Sequence, residues 1–403
     1  MRCAHIVSYS TRLAQHPLQQ KPSDVFIKWA QNQNVLERRE IKVRLENYGG
    51  NLGWGLVANM DLNPGEEILS IPLERTIRAE DQDGCLPWGV KMAEELLVDL
   101  YKDAKDRGIS HWTDAMPSFV GIPWLHWNEE QIGLLGEPAI IKEVNAMRTL
   151  KDFAIEYLGN YDRNDVIWAL SIVYSRTFVS QGQHVLAPAI DMVNHDSEPT
   201  ATVRIVHHPD MCQGLEAQAE VAPIVPSQSS SIFQLLACSE KGGLKKGENI
   251  TISYGHWPNE VYLLYFGFVP EHNPNDNIVI WTDLKDLCLY LSRKAGMRIA
   301  VDELSASLGH GLEMMQDLER FVVTDEGVDG RIFPILEAAR EIIPLETPSS
   351  IIKSRCRELL SFYDIPMDND AKEKQGHDGA VVMARRYKSS KQKILKIVLK
   401  SIT

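Results

Sequence analysis

Three short stretches of this 403-residue chain carry side chains that chemistry could use. Tyr254 closes the run Asn249-Ile250-Thr251-Ile252-Ser253-Tyr254, and Gly255 followed by Pro258-Asn259 turns the chain sharply, so the phenol stands at a strand end facing a cleft. Asp191-Met192-Val193-Asn194-His195 sets a carboxylate, an amide and an imidazole close together after an apolar run. Gly53-Trp54-Gly55-Leu56-Val57-Ala58 opens another strand, and its glycines allow a backbone to approach a ligand closely. A strand-end hydroxyl flanked by carbonyl oxygens can orient the lone pair of an attacking amine.

Each stretch also has a plain structural reading. Gly53-Trp54-Gly55 departs from G-x-G-x-x-G, and a strand follows it where the dinucleotide fingerprint needs a helix, which leaves a glycine-flanked hairpin. Asp191, Asn194, His195 and Asp196 suit a divalent cation by type. Yet His184, His207 and His208 fall in loop or exposed strand and complete no ligand set, so no metal is expected. A serine nucleophile lacks its G-x-S-x-G setting, and no cysteine stands at a helix start beside a histidine.

The elements that must position these residues change character along the chain. A helix is expected over 23–33, capped by Ser23. Alternating runs at 41–45, 54–60 and 67–71, with a turn at Asn63-Pro64-Gly65-Glu66, then read as a β-meander. From about residue 88 to 180 the apolar period becomes helical, with Met92, Leu96 and Leu100 on one helix, 140–157 on a long one and 166–174 on a third. Strands resume at 200–206, 233–238 and 249–254, separated by a Pro/Ser/Gln loop at 222–231. Beyond Phe268 a strand at 277–281 leads into helices over 284–296, 310–323, 331–343, 348–363 and 380–401, with a polar break at 364–379. The expected class is therefore α+β. A flexible N-terminus covers 1–22, a mostly-β domain with short sheets covers 23–270 and carries a helical insertion at about 85–180, and an all-α domain covers 271–403.

Composition narrows the setting. At 44% apolar and 24% charged the chain is a globular protein long enough for roughly two to three domains. Residues 383–403 carry seven Lys or Arg and no acid, so against a net charge of −13 the remainder stands at −20. That acidic body repels phosphates, and no nucleic-acid partner is expected. The basic tail has its apolar residues at helical spacing and reads as a terminal helix with one docked face, the other reading being a basic patch for nucleic acid or nuclear import. Six scattered cysteines without a C-x-x-C pair argue against zinc modules and disulfide frameworks. No run reaches the roughly 18–20 apolar residues of a membrane span. A cytoplasmic or nuclear monomer is the expectation, with an organelle as the alternative, because residues 1–22 hold Arg2, Arg12 and Lys21 and no acid.

Taken together, Gly53-Trp54-Gly55-Leu56-Val57-Ala58, Ser175-Arg176-Thr177-Phe178, Asp191-x-x-Asn194-His195 and Gly247-Glu248-x-Ile250-x-Ile252-x-Tyr254-Gly255 resemble, in order and spacing, the SET-domain branch typified by the Rubisco large-subunit lysine methyltransferase and the actin histidine methyltransferase. The resemblance covers roughly residues 22–403 and implies a SET domain followed by a helical substrate-binding domain. It implies S-adenosylmethionine as cofactor, with Leu52, Gly53 and Trp54 on its amino-acid part, Arg176 on its carboxylate, and Asn194 and His195 on its adenine and nearby atoms. It also implies Tyr254 beside the transferring methyl and Ser180 and Asp191 along the acceptor channel. The activity so implied is lysine N-methylation of a non-histone protein. Protein-histidine N-methylation and a noncatalytic SET-like adaptor are the alternatives.

Methyl transfer from a sulfonium needs in-line approach of a neutral nitrogen, so positioning and desolvation supply most of the acceleration. A lysine acceptor must first lose its proton, which at pH 7 costs about 3.4 pK units or roughly 4.6 kcal/mol. An acceptor histidine, with a pKa of about 6.5, is already mostly neutral. Lysine-modifying relatives usually place a second tyrosine directly before the Gly-Phe pair, where this chain has Phe266, with Tyr265 one residue earlier. The missing hydroxyl predicts either more methyl groups per lysine or a different acceptor.

Overall fold

The structure, a computed structural model, describes residues 41–48, 53–80, 86–101, 110–113, 116–180, 182–206, 231–308, 319–364 and 379–402. The helix expected at 23–33, His207, His208, and nearly all of the 222–231 loop lie outside them. By contacts the chain forms two compact units, Met1–Val120 with Arg148–Gly255 and Gly121–Met147 with His256–Thr403.

In the first unit, alternating sequence makes short strands. β1 (Val43–Asn47) and β2 (Trp54–Ala58) pair antiparallel, Val43 opposite Ala58 and Asn47 opposite Trp54, while β3 (Glu67–Pro72) and β4 (Ile77–Glu80) enter two other sheets. The helical stretch that follows holds α1 (Trp88–Tyr101), α2 (Ser110–Thr113), α3 (Pro123–His126), α4 (Glu129–Gly133), α5 (Pro138–Tyr157) and α6 (Arg163–Arg176), of which α3, α4 and the first half of α5 belong to the second unit. α6 starts where Asp162 accepts from Asn164 N–H, and α1 packs on it through a close approach at Gly89, where a Cβ would stand 2.5 Å from the Tyr174 hydroxyl. Then come β5 (Phe178–Ser180), β6 (Gln183–Leu186), β7 (Asn194–His195), β8 (Ala201–Val206), β9 (Ile232–Ala237) and β10 (Asn249–Ile252). The sheets run β1-β2-β10-β7, β3-β9-β8 and β4-β6-β5.

Two expectations change here. Phe178–Ser180, expected to end the helical stretch, form β5 and pair antiparallel with β6. His184 is not exposed: it sits buried in β6, its ring stacked at 3.8 Å on Trp88.

Beyond its 121–147 segment, the second unit resumes with α7 (Asn259–Val261) and a π-helical turn at Tyr262–Phe266, closed by Gly267 at φ +72°. A Cβ on Gly267 would stand 3.1–3.3 Å from the backbone of Gly121 and Ile122, so only glycine fits. β11 (Ile278–Asp283) follows, then α8 (Leu284–Ala295), α9 (Val301–Leu308), β12 (Glu319–Val323), α10 (Ile332–Ile342), α11 (Pro348–Tyr363) and α12 (Gly379–Ser401). The α+β class holds, but this region is helices around a two-stranded sheet and not helices alone. Residues 319–323, expected to end a helix, form β12 and pair antiparallel with β11.

Buried polar clusters fasten the second unit. Tyr363 and Tyr387 both donate to Glu137 Oε2, at 2.6 and 2.9 Å, which ties the 121–147 segment to α11 and α12. Lys391, 1% exposed, donates to Glu260 at 2.6 Å, Asp276 at 2.7 Å and Asn277 O at 2.6 Å. Burial opposes its charge, and the two carboxylates more than offset that, holding its pKa above the ordinary lysine value. The basic tail is thus a docked helix whose cations include two buried ones, Lys388 and Lys391. No helix among the described residues is long and apolar enough to cross a membrane.

Candidate active site

β10 gathers the three stretches singled out above. It pairs antiparallel with β2 on one side, Ile250 opposite Leu56, and parallel with β7 on the other, Thr251 beside Asn194 and Ile252 beside His195. Two residues past its end, Tyr254 folds onto β7. Its hydroxyl donates to Val193 O at 2.8 Å, its backbone N–H donates to His195 Nδ1 at 3.2 Å, and the two ring centroids are 5.2 Å apart. Because Nδ1 accepts, the imidazole proton belongs on Nε2. Burial lowers the His195 pKa, with the Ile252 carbonyl and Asp196 pulling weakly the other way, so the ring is neutral at pH 7.

The Trp54 strand closes the other side. Asn194 Nδ2 donates to Trp54 O at 3.4 Å, and Gly55 makes the room, since a Cβ there would stand 2.5 Å from Asn194 Nδ2 and 2.7 Å from Tyr48 Cε2. Gly53 has φ +58° and open space around it; its carbonyl accepts from Tyr48 N–H at 2.9 Å and closes the hairpin. Leu52 lies outside the described residues.

Arg176, the last residue of α6, lies against the turn that leads into β7. Its Nη1 donates to Asp191 O at 2.8 Å and Asp191 Oδ2 at 3.3 Å and contacts Met192 Sδ at 3.6 Å. The Asp191 side chain has no exposed surface, and its other oxygen, Oδ1, accepts from Trp112 Nε1 at 2.8 Å. Burial pushes the Asp191 carboxyl up, while Arg176 and the Trp112 N–H pull it down. Two residues before it, Ala189 holds φ +74° and ψ −43°, a strained conformation for a residue with a Cβ, and it is completely buried. Asp191 thus faces Arg176 and Trp112.

Ser180 ends β5 opposite Gln183, in a different sheet from the one that carries Asn194. Phe266 belongs to the second unit, where its ring packs with Tyr262 (centroids 5.7 Å apart) and Phe268 (6.4 Å). Burial raises the pKa of the neighbouring Tyr265, with Glu143 adding to the shift. Among the described residues no three His, Cys, Asp or Glu side chains gather as metal ligands would. Sequence reasoning missed Trp112, and no local signal could have found it, because its indole meets a partner 79 residues away.

No family model and no curated protein matches the chain. Solved structures do. The SET domain of LSMT bound to lysine and AdoHcy superposes with a TM-score of 0.62 at 17% identity, over 94% of this chain and 90% of that one. Rubisco LSMT bound to sinefungin and monomethyllysine gives 0.61 at 16%, over 94% and 90%. Rubisco LSMT bound to AdoMet gives 0.62 at 17%, over 94% and 91%. At that identity the likeness is one of fold: this chain has the architecture of a SET-domain protein.

Proposed function

We propose that this chain is an S-adenosylmethionine-dependent protein methyltransferase that N-methylates lysine on a non-histone protein. The observation that carries the reading is the meeting of Tyr254, Asn194-His195 and the Trp54 strand along one sheet, in a fold shared with structures bound to AdoMet, AdoHcy, lysine and methyllysine.

The residues fit such a cofactor. Arg176 commits Nη1 to Asp191, while its buried Nε–H has no partner among the described residues, an unmet donor suited to a carboxylate at the guanidinium edge. The neutral His195 ring, the Asn194 amide and the Trp54–Gly55 backbone stand together there. Bound there, S-adenosylmethionine supplies an electrophilic methyl group. Tyr254 gives its own proton to Val193 O, which fixes the phenol oxygen as an acceptor for an amine N–H. That arrangement orients the lone pair of a neutral amine and leaves deprotonation to the surroundings, since a phenol of pKa about 10 is a poor resting base.

Titration calorimetry with S-adenosylmethionine, and radioactive methyl labelling of a lysate followed by residue-level mass spectrometry, test this reading. Saturable binding and label on lysine are expected, with Tyr254→Phe retaining binding but losing about 100-fold in rate through misoriented amine. Absence of both heat and label ends the proposal. A sequence departure favours a second reading, a histidine acceptor: lysine-modifying relatives usually have a tyrosine where this chain has Phe266. Restoring it with Phe266→Tyr is expected to shift product toward fewer methyl groups or toward lysine, and an unchanged product distribution counts against any role for that ring.

A further inference from the structure

The pairing of Arg176 with a wholly buried carboxylate poses a problem for a residue that is to bind a ligand. Arginine and a carboxylate prefer a bidentate fork-on-fork pair, which would turn two donors inward and leave fewer for anything else. Here the pair is monodentate on the side-chain oxygens. Only Oδ2 of Asp191 meets Arg176, at 3.3 Å, because Oδ1 is taken by the indole N–H of Trp112 at 2.8 Å. Trp112 is completely buried and its N–H donates to this acceptor. The Asp191 main-chain carbonyl takes the same Nη1 at 2.8 Å, so one nitrogen of the guanidinium serves both Asp191 oxygens.

We propose that Trp112 and Asp191 are positioning residues: the indole holds one carboxylate oxygen away from the guanidinium, and Asp191 thereby anchors Arg176 by a single nitrogen and leaves its other donors for the carboxylate of the cofactor. This rests on the cofactor reading above. Remove the indole N–H, and Oδ1 loses its Trp112 donor; beside the Ala189 N–H, which already bonds the carboxylate, the side chain that can supply a second bond is Arg176. The guanidinium then swings toward Asp191, and the ligand carboxylate loses its fork. A merely structural role for Trp112 would weaken the fold, or binding of every ligand alike. The positioning role weakens only what depends on the ligand's carboxylate.

The test uses the full chain and two ligands, S-adenosylmethionine and its decarboxylated form, measured by calorimetry. The unmodified chain is expected to bind S-adenosylmethionine more tightly. Trp112→Phe is expected to lose about tenfold in affinity for S-adenosylmethionine, the scale of one charge-assisted hydrogen bond, with affinity for the decarboxylated form unchanged. Should the smaller ring fail to fold, site-specific replacement of Trp112 by benzothienylalanine, which keeps the bicyclic shape and lacks the N–H, gives the same comparison. Combined with Arg176→Ala, the Trp112 change is expected to have no further effect on either ligand. Equal losses for both ligands, or no loss for either, overturn the assignment and leave the cofactor reading standing. An unmodified chain that binds neither ligand overturns both.

Discussion

Gly55→Ala perturbs the site at its tightest point. An added Cβ would stand 2.5 Å from Asn194 Nδ2 and 2.7 Å from Tyr48 Cε2, against the ~3.5 Å of an ordinary contact. The Asn194 backbone cannot retreat, because β7 is held in register by Thr251 and Ile252 of β10. Its side chain must therefore leave Trp54 O. The lost hydrogen bond is long, at 3.4 Å, and so contributes at the low end of about 0.5–1.5 kcal/mol. An off-rotamer side chain adds about 0.5–1.5 kcal/mol, and a destabilisation of about 1–3 kcal/mol is expected, the usual range for overpacking. Gly53→Ala is the control. It meets nothing within 4 Å, and only its φ of +58° opposes a Cβ, which costs roughly 1–2 kcal/mol without moving Asn194. Urea denaturation of both variants gives their stabilities, and calorimetry with S-adenosylmethionine gives their binding. Similar stability losses are expected, but about tenfold weaker binding for Gly55→Ala alone. If the two variants bind equally well, Asn194 has no part in holding the cofactor and the geometric reasoning fails.

Two further outcomes follow from the buried charges. His195 has a folded pKa below its unfolded value near 6.5, so its contribution to stability is complete above that pH and is lost as pH falls from about 6.5 toward the lower folded value, where the unfolded chain takes up the proton first. Denaturation midpoints measured between pH 7.5 and 5 should therefore fall less steeply in His195→Asn than in the unmodified chain; parallel curves would show that the imidazole is not held neutral. Lys391→Met removes the ammonium from between Glu260 and Asp276, and leaving those carboxylates uncompensated should cost about 3–5 kcal/mol by chemical denaturation. A loss under 1 kcal/mol would mean that water or neighbouring groups already satisfy them.

How much of this was legible in sequence depends on how local each signal is. The helices over 284–295, 348–363 and 379–401 carry their own apolar period, and that period agrees with the structure. β5 is three residues long, too short to show a period, and merged into the helical stretch beside it. β12 looked like a helix end because what makes Glu319–Val323 a strand is its pairing with β11, some forty residues earlier. His184 looked exposed because alternation cannot reveal that Trp88 covers it. At the site, Tyr254, Asn194 and Gly53-Trp54-Gly55 were recognisable by type, and their order matched a known pattern. The partners of Asp191 were not, since Trp112 and Arg176 come from two separate helices.

The way the backbone passes between the two units has a consequence for how such a protein can be cut or recombined. It crosses at three places, after residues 120, 147 and 255. A fragment beginning at His256 would lack Glu137, the shared acceptor of the Tyr363 and Tyr387 hydroxyls, and would strand two phenols in an apolar interior. The C-terminal helices are therefore not a portable cassette. Any exchange of them between homologues must bring along the 121–147 segment that carries Glu137.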